Sequence, residues 1–415
     1  MIRQTVSIII CCMVCVSLDA QQFRTEAYSD RVKTLRVNLV DNWQAAPYIN
    51  LDGDAAVEIN FDLIVDEPET LTYTLTHCDA NWMPSDLLQS EFMDGFQDRI
   101  INDYAISLNT SMSYVNYRME FPNEDVSLKI SGNYAVQVFA ENSDEMILCA
   151  CFSVIETNVD IEMSVTSQTD KGMNSLFQQV GFTVKCGDLV KSPMNDLKVH
   201  VLQNERTDNM AKSIKPLYVQ NRLMKYEHNP SLIFEAGNEY RKFEMTTRKF
   251  NGYHIESINF HDPYFHATLY PDAIRNGTHY EYYDDINGRI YIRTLDGSFA
   301  DYEADYYIVH FFLPAAQPFP DDVYILSHAF NNLLNELTLM EYSEYDGGYV
   351  KNVIMKEGYY NYMYVTRGNN QKPASPHFVE GNYYQTENEY RVLVYFRRAG
   401  DRFDRLIGTE TIQYK

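Results

Sequence analysis

Residues 76–139 read THCDANWMPSDLLQSEFMDGFQDRIINDYAISLNTSMSYVNYRMEFPNEDVSLKISGNYAVQVF. Two strand-like runs frame this stretch. LTYTL at residues 71–75 leads in, and YAVQVF at residues 134–139 closes it, alternating or running apolar as strands do. Between them Pro84, Gly95 and repeated Asn and Asp steps break regular structure. Compact domains seldom carry a connection this long with so little strand in it, and such connections are commonly functional or mobile. Residues 84–96 and 98–106 are each expected to form a short helix. The insert holds Trp82, one of 2 tryptophans in the chain, together with Phe92, Phe96 and Tyr104. Apolar anchors on such an insert often sit at interfaces, so these four are the candidate partner contacts. The competing reading packs them onto their own sandwich.

Working outward, VKTLRVNLV (residues 32–40), AVEINFDLI (56–64), YVNYRMEF (114–121) and MILCACFSV (146–154) alternate or run apolar between Gly, Asp, Asn and Pro. Short strands at such intervals indicate a β-sandwich. Residues 21–30 are polar and read as a loose arm. A second series of strand-like runs, from Val159 to Leu313, indicates a second sandwich. Within it Asn287-Gly288 is a hairpin-turn signal, because Asn-Gly supplies the positive φ angles such turns need. PAAQPFP at residues 314–320 reads as a linker. Beyond it, runs at 323–326, 348–355, 359–365, 389–396 and 406–412 indicate a third sandwich, with 348–355 and 359–365 as a hairpin.

The expected organisation is a signal peptide at residues 1–20, an N-terminal sandwich carrying the insert at 21–157, a middle sandwich at 158–316 and a C-terminal immunoglobulin-like early-set domain at 317–415. The expected fold class is all-β, as tandem immunoglobulin-like β-sandwiches.

The formal charge of −24 argues against nucleic acid and against an anionic membrane surface as partners. The 33 tyrosines suit half-buried sheet positions and interfaces, having an apolar body and a polar tip. Arg3, the apolar run VSIIICCMVCVSL at residues 6–18 and Ala20 form a secretory signal pattern. The apolar run is too short for a transmembrane helix, so export without direct membrane insertion is expected. The exported chain keeps Cys78, Cys149, Cys151 and Cys186. Cys149 and Cys151 sit two apart on one strand face, which disfavours a bond between them. Buried free thiols are one reading, and a Cys78–Cys149 or Cys78–Cys151 bridge is the other.

Chemistry-bearing patterns resolve into structural ones. A calcium loop around Asp285-Ile286-Asn287-Gly288 would begin at Tyr283 and close at Thr294, neither of them a carboxylate. The spacings of His254, His261 and His266 match no compact zinc motif. His77 and Cys78 are neighbours on a strand and point to opposite faces, so they cannot act as base and nucleophile. No nucleophile elbow, Walker loop, dinucleotide fingerprint or zincin helix occurs. Catalytic, cofactor-binding and metal-ligating residues are therefore expected to be absent.

The order and spacing of His77-Cys78-Asp79-Ala80-Asn81-Trp82, Pro84-Ser85-Asp86-Leu87, Asp94-Gly95-Phe96, Ser107-Leu108-Asn109-Thr110, Phe121-Pro122-Asn123-Glu124-Asp125 and Ser131-Gly132-Asn133-Tyr134 resemble the plug proteins of the bacterial type IX secretion system. The resemblance continues through Gln203-Asn204, Gly237-Asn238-Glu239-Tyr240-Arg241, Ala304-Asp305-Tyr306, Gly358-Tyr359-Tyr360-Asn361-Tyr362, Thr386-Glu387-Asn388-Glu389-Tyr390 and Arg402-Phe403-Asp404-Arg405-Leu406. It implies a non-enzymatic periplasmic protein of a Bacteroidota-type bacterium. Such a protein associates with the very large outer-membrane β-barrel of the translocon and closes the periplasmic end of its pore when no substrate is crossing. No cofactor and no small-molecule substrate is implied. The alternative is a secreted glycan-binding protein, because residues 323–365 are similar to immunoglobulin-like early-set modules. The aromatic that such glycan binders place after a Phe-Asn pair is missing, since Asn332 and Leu333 follow Phe330-Asn331.

Overall fold

The computed structural model describes residues 22–141, 145–368 and 373–415. The expected signal peptide lies outside the described residues. Within them the chain is all-β, as the alternation predicts, and is built from sheets that are nearly all antiparallel.

The first sandwich follows from period-two burial. In Leu71–Cys78, Leu71, Tyr73 and Leu75 are buried while the threonines between them are half-exposed. This strand lies in a sheet ordered Glu26–Ala27, Met146–Ile155, Gly132–Ala140, Leu71–Cys78, Arg99–Ile100, with Tyr48–Asn50 added in parallel to Met146–Ile155. The facing sheet is ordered Val32–Leu39, Val57–Leu63, Val115–Phe121, Asp103–Ile106. Val57, Ile59, Phe61 and Leu63 are fully buried between the sheets, each worth roughly 1.5–3 kcal/mol of burial. Asn60 and Asp62, on the opposite face of that strand, are also buried.

The insert is part of the sandwich. Its first half contains one helical turn, Gln89–Phe92. Its second half is strand, not the helix expected: Arg99–Ile100 pairs with Leu71–Cys78, and Asp103–Ile106 pairs with Val115–Phe121. Ile100, Ile101, Tyr104 and Ile106 are β-formers beside free sheet edges, and edge pairing wins over helix. The insert thus crosses from the edge of one sheet to the edge of the other. The arm at residues 22–30 is docked instead of loose. Phe23 N–H donates to the Trp82 carbonyl at 2.9 Å, Glu26–Ala27 pairs with Met146–Ile155, and Phe23 is buried as the arm's apolar anchor.

The division expected at 316/317 is not how the strands pair. Leu197–Gln203 pairs with Asn388–Phe396, which pairs with Arg405–Tyr414. The core of the second sandwich joins Val180, Phe182 and Val199 to Tyr390, Val392 and Ile407. The last two strands of the chain therefore complete the second sandwich, and the third is inserted within it, its core running from Phe243 to Val379. The proline-rich residues 314–320 form a corner inside the third sandwich, between Tyr306–Pro314 in one sheet and Asp322–Leu326 in the other. Proline marks corners as readily as linkers. Gly348–Lys356 and Gly358–Arg367 are not a hairpin. Each joins a different sheet, and the chain bends between them at Glu357.

Truncation after residue 386 removes two of the three strands in one sheet of the second sandwich. It strips cover from several fully buried apolar side chains, a loss that rivals the roughly 5–15 kcal/mol stability of a whole domain. We expect the truncated chain to lose native near-ultraviolet circular dichroism from the second sandwich. A truncated chain that melts like the full one contradicts this pairing.

Candidate partner surface and the domain junctions

Several of the segments singled out by sequence order meet where the sandwiches join, among them residues 77–82, 131–134 and 402–406. At the first junction Asp404, with no exposed surface, is the hub. Its Oδ2 accepts from Ala80 N–H at 2.9 Å and from Lys198 Nζ at 2.8 Å. Arg397 Nε lies 2.8 Å from Oδ1, close enough for an ion pair though not aligned as a hydrogen bond. Asn133 Nδ2 donates to the Asp79 carbonyl at 2.9 Å, while its Oδ1 accepts from Ser153 Oγ at 2.8 Å and Tyr395 OH at 2.9 Å. Arg405 pairs with Glu156, and Arg402 with Glu91. Gly132 has φ +135°, and a Cβ there would lie 2.3 Å from His77 Nε2 and 2.9 Å from the Asp404 carbonyl oxygen. Only glycine fits.

His77 is a structural residue. Its Nε2 faces the Ser131 carbonyl at 3.2 Å, so that nitrogen carries the proton, and Nδ1 lies 2.9 Å from Ser85 Oγ. Phe403 meets the ring edge-on at 5.5 Å. Burial pushes its pKa down to about 4, so the ring is neutral near pH 7. Cys78 points away, into a pocket with Cys149, Cys151, Phe23 and Trp82. Cys78, Cys149, Cys151 and Cys186 are all free thiols. Gly132–Ala140 runs between the strands of Cys78 and of Cys149 and Cys151. Two strand spacings of about 4.8 Å exceed the ~7 Å Cα limit of a disulfide.

The second junction joins the first sandwich to the third. Lys356 and Asp62, both inaccessible to water, pair at 2.6 Å. Tyr306 OH donates to Asp62 Oδ2 at 2.6 Å, and Lys356 Nζ also donates to the Asp301 carbonyl at 2.6 Å. Burial lowers the Lys356 pKa, with Asp62 opposing the shift. Ser111 N–H and Oγ donate to the Asp305 carboxylate, and Tyr114 OH donates to the Ala304 carbonyl at 2.7 Å. The third junction joins the second and third sandwiches along the two crossing chains. Arg289 of the third sandwich pairs with Glu389 of the second at 2.8 Å, and His328 Nε2 lies 3.4 Å from the Asn204 carbonyl.

The four candidate contacts separate. Phe92 is 5% exposed and belongs to the first core, so it is no partner contact; its apolar ring closes the sandwich beside Tyr134. Trp82 is half-buried against the thiol pocket. Phe96, 74% exposed, and Tyr104, 49% exposed, face solvent. The structure adds Leu88, Ile100, Ile106 and Leu108, all exposed. Tyr104, Ile106 and Leu108 repeat at period two, a signal readable from the sequence but one that normally marks a core-facing strand. Exposed apolar side chains on one segment are the kind of feature from which interaction surfaces are built.

Residues 32–156 match the family model described as Type 9 secretion system plug protein 1st domain. The chain belongs to the type IX secretion system plug protein family. The matched span begins at the strand Val32–Leu39 and ends at Glu156, the residue that pairs with Arg405 at the first junction. A crystal structure of a hypothetical protein from Parabacteroides merdae ATCC 43184 is similar over 95% of this chain and 100% of its own, at 42% identity and a TM-score of 0.93. The arrangement of all three sandwiches, beyond the matched plug domain, is therefore shared. No curated protein matches the chain.

Two expectations follow. Asp404→Ala leaves Lys198 and Arg397 facing a buried gap and should cost about 3–5 kcal/mol, read as a lower denaturation midpoint; an unchanged midpoint contradicts the hub. The second concerns pH. Burial raises the carboxyl of Glu239 to about 7 against a hydrogen bond from Tyr280, and raises Asp285 to about 6 against the Asn287 and Tyr240 N–H groups. Burial would raise Asp272 too, but Arg241 and hydrogen bonds from His254 and Tyr364 hold it at about 2. Folded pKa values above the unfolded ones, roughly 4, mean stability is lost as pH rises through 6 to 7. The depressed Asp272 acts in the opposite sense, with stability lost as pH falls toward 2. The melting temperature should be higher at pH 5 than at pH 8, and Glu239→Gln should shrink that difference. A melting temperature that rises over this range contradicts the assignment.

Proposed function

We propose that the protein is a non-enzymatic plug that closes the periplasmic end of a very large outer-membrane β-barrel in the type IX translocon when no substrate is crossing. Family membership supports association with the secretion machinery and a periplasmic, outer-membrane-associated place. Among the described residues no helix is long and apolar enough to cross a membrane. The observation that carries the reading is the set of exposed apolar side chains on the insert, Leu88, Phe96, Ile100, Tyr104, Ile106 and Leu108, presented by a plug domain locked to two further sandwiches.

A pore wide enough for folded cargo leaks small solutes, and a body filling its mouth needs shape and a reversible grip. A few apolar anchors inside a polar rim supply such a grip. In this reading Phe96, Tyr104 and Ile106 are the anchors, with Trp82 bracing the insert from behind. The signal-peptide pattern at residues 1–20 supplies the route to the periplasm.

The test is recovery of the tagged protein from its native outer membrane. We expect a very large β-barrel to be recovered with it. The triple variant Phe96→Ala/Tyr104→Ala/Ile106→Ala should lower that recovery about tenfold or more while melting like the parent, since none of the three is buried. Full recovery of the barrel by the variant removes the insert as the grip. Recovery of no barrel by the parent contradicts the plug reading.

A further inference from the structure

We propose that the cleft where the three sandwiches meet is a binding site for an extended acidic peptide segment. The cleft encloses about 820 Å³, within the size range of ligand sites, which favour domain interfaces. Its walls come from all three sandwiches, including Tyr48, Leu202 and Leu334, and the junctions described above fix them. The site lies apart from the exposed apolar side chains on the insert and does not depend on the barrel reading.

The charge in the cleft is uncompensated in one direction. Three carboxylates line it, and each has an arginine partner: Glu26 with Arg24, Glu205 with Arg391, and Asp208 with Arg206. Of the five basic side chains in the lining, Arg24, Arg36 and Arg289 are likewise paired, with Glu26, Asp301 and Glu389. Lys212 and Arg367 have no carboxylate within ion-pair distance among the described residues. Two free cations in one recess of a chain whose net charge is −24 select an anion.

The remaining lining specifies a peptide. Asn332 lines the cleft, 5% exposed, and its buried Oδ1 has no hydrogen-bond partner, a polar group left unsatisfied beside the recess. It sits on a loop in which Asn331 and Asn332 both hold left-handed φ angles, 51° and 55°. Strained backbone of this kind is retained where the surroundings fix it, and it clusters at ligand sites. Trp43 and Trp82, the only tryptophans, both line the cleft, with Trp43 packed on Tyr291 at 4.8 Å. They offer the rigid aromatic walls that peptide side chains pack against.

Because both tryptophans lie there, intrinsic fluorescence of the full chain reports on this cleft alone. Titration with a hexaglutamate peptide should change the emission saturably, and added salt should weaken the binding. Lys212→Glu/Arg367→Glu should weaken it about tenfold or more. Lys212→Gln/Arg367→Gln should fall between that variant and the parent, and both variants should melt like the parent. No saturable change, an equal response to hexaserine, or unaltered binding by the charge-reversed variant overturns the proposal. Equal competition by glutarate also overturns it, since the site would then take small dicarboxylates and not a peptide.

Discussion

A carboxylate that water cannot reach sets the terms for this fold. Asp404 has no exposed surface, and an isolated ion there costs several kcal/mol. Its partners divide between two sandwiches: the cations Lys198 and Arg397 belong to the second, and the Ala80 N–H to the first. The carboxylate gains its Ala80 hydrogen bond only when the first sandwich is seated. Lys356 and Asp62 repeat the device between the third sandwich and the first. Pairs of this kind add little net stability compared with apolar packing. They penalise every other seating, and the result is one defined arrangement of three bodies.

The route of the chain reinforces that arrangement. Because the third sandwich is inserted into the second, the chain crosses between them twice, and residues 236–241 run beside 380–389. The second sandwich waits for residues 388–414 before its sheet of Leu197–Gln203 is complete. Such distant pairings make folding slow. The junctions also absorb basic side chains: Lys198, Arg289, Lys356, Arg397 and Arg405 all have carboxylate partners across or beside a boundary.

Much of this was legible in the residues themselves. Alternation in Val57–Leu63 and Leu71–Cys78 marks a two-layer first domain, and Asn287 and Gly288 adopt positive φ angles in a turn, though not in the hairpin expected, since Ile290–Ile292 pairs with Gly358–Arg367. The motif order from His77 to Asp404 identifies the plug family without revealing what the residues do. They are docking residues, and only the fold brings Ser131–Tyr134 against Phe403 and Asp404. The return of residues 388–414 to the second sandwich was not legible, because a strand's alternation is silent about its neighbour. A proline-rich corner at 314–320 has the composition of a linker. Phe92 and Phe96 are both aromatic residues of one insert, and sequence alone could not tell that one faces the core and the other faces solvent.

Buried polar junctions make the three sandwiches one cooperative body. Differential scanning calorimetry of the exported chain tests it most directly. A single transition whose calorimetric and van't Hoff enthalpies agree is expected. Two or three resolved transitions would contradict it, because sandwiches that melt separately are not held by the buried ions at Asp404 and Lys356.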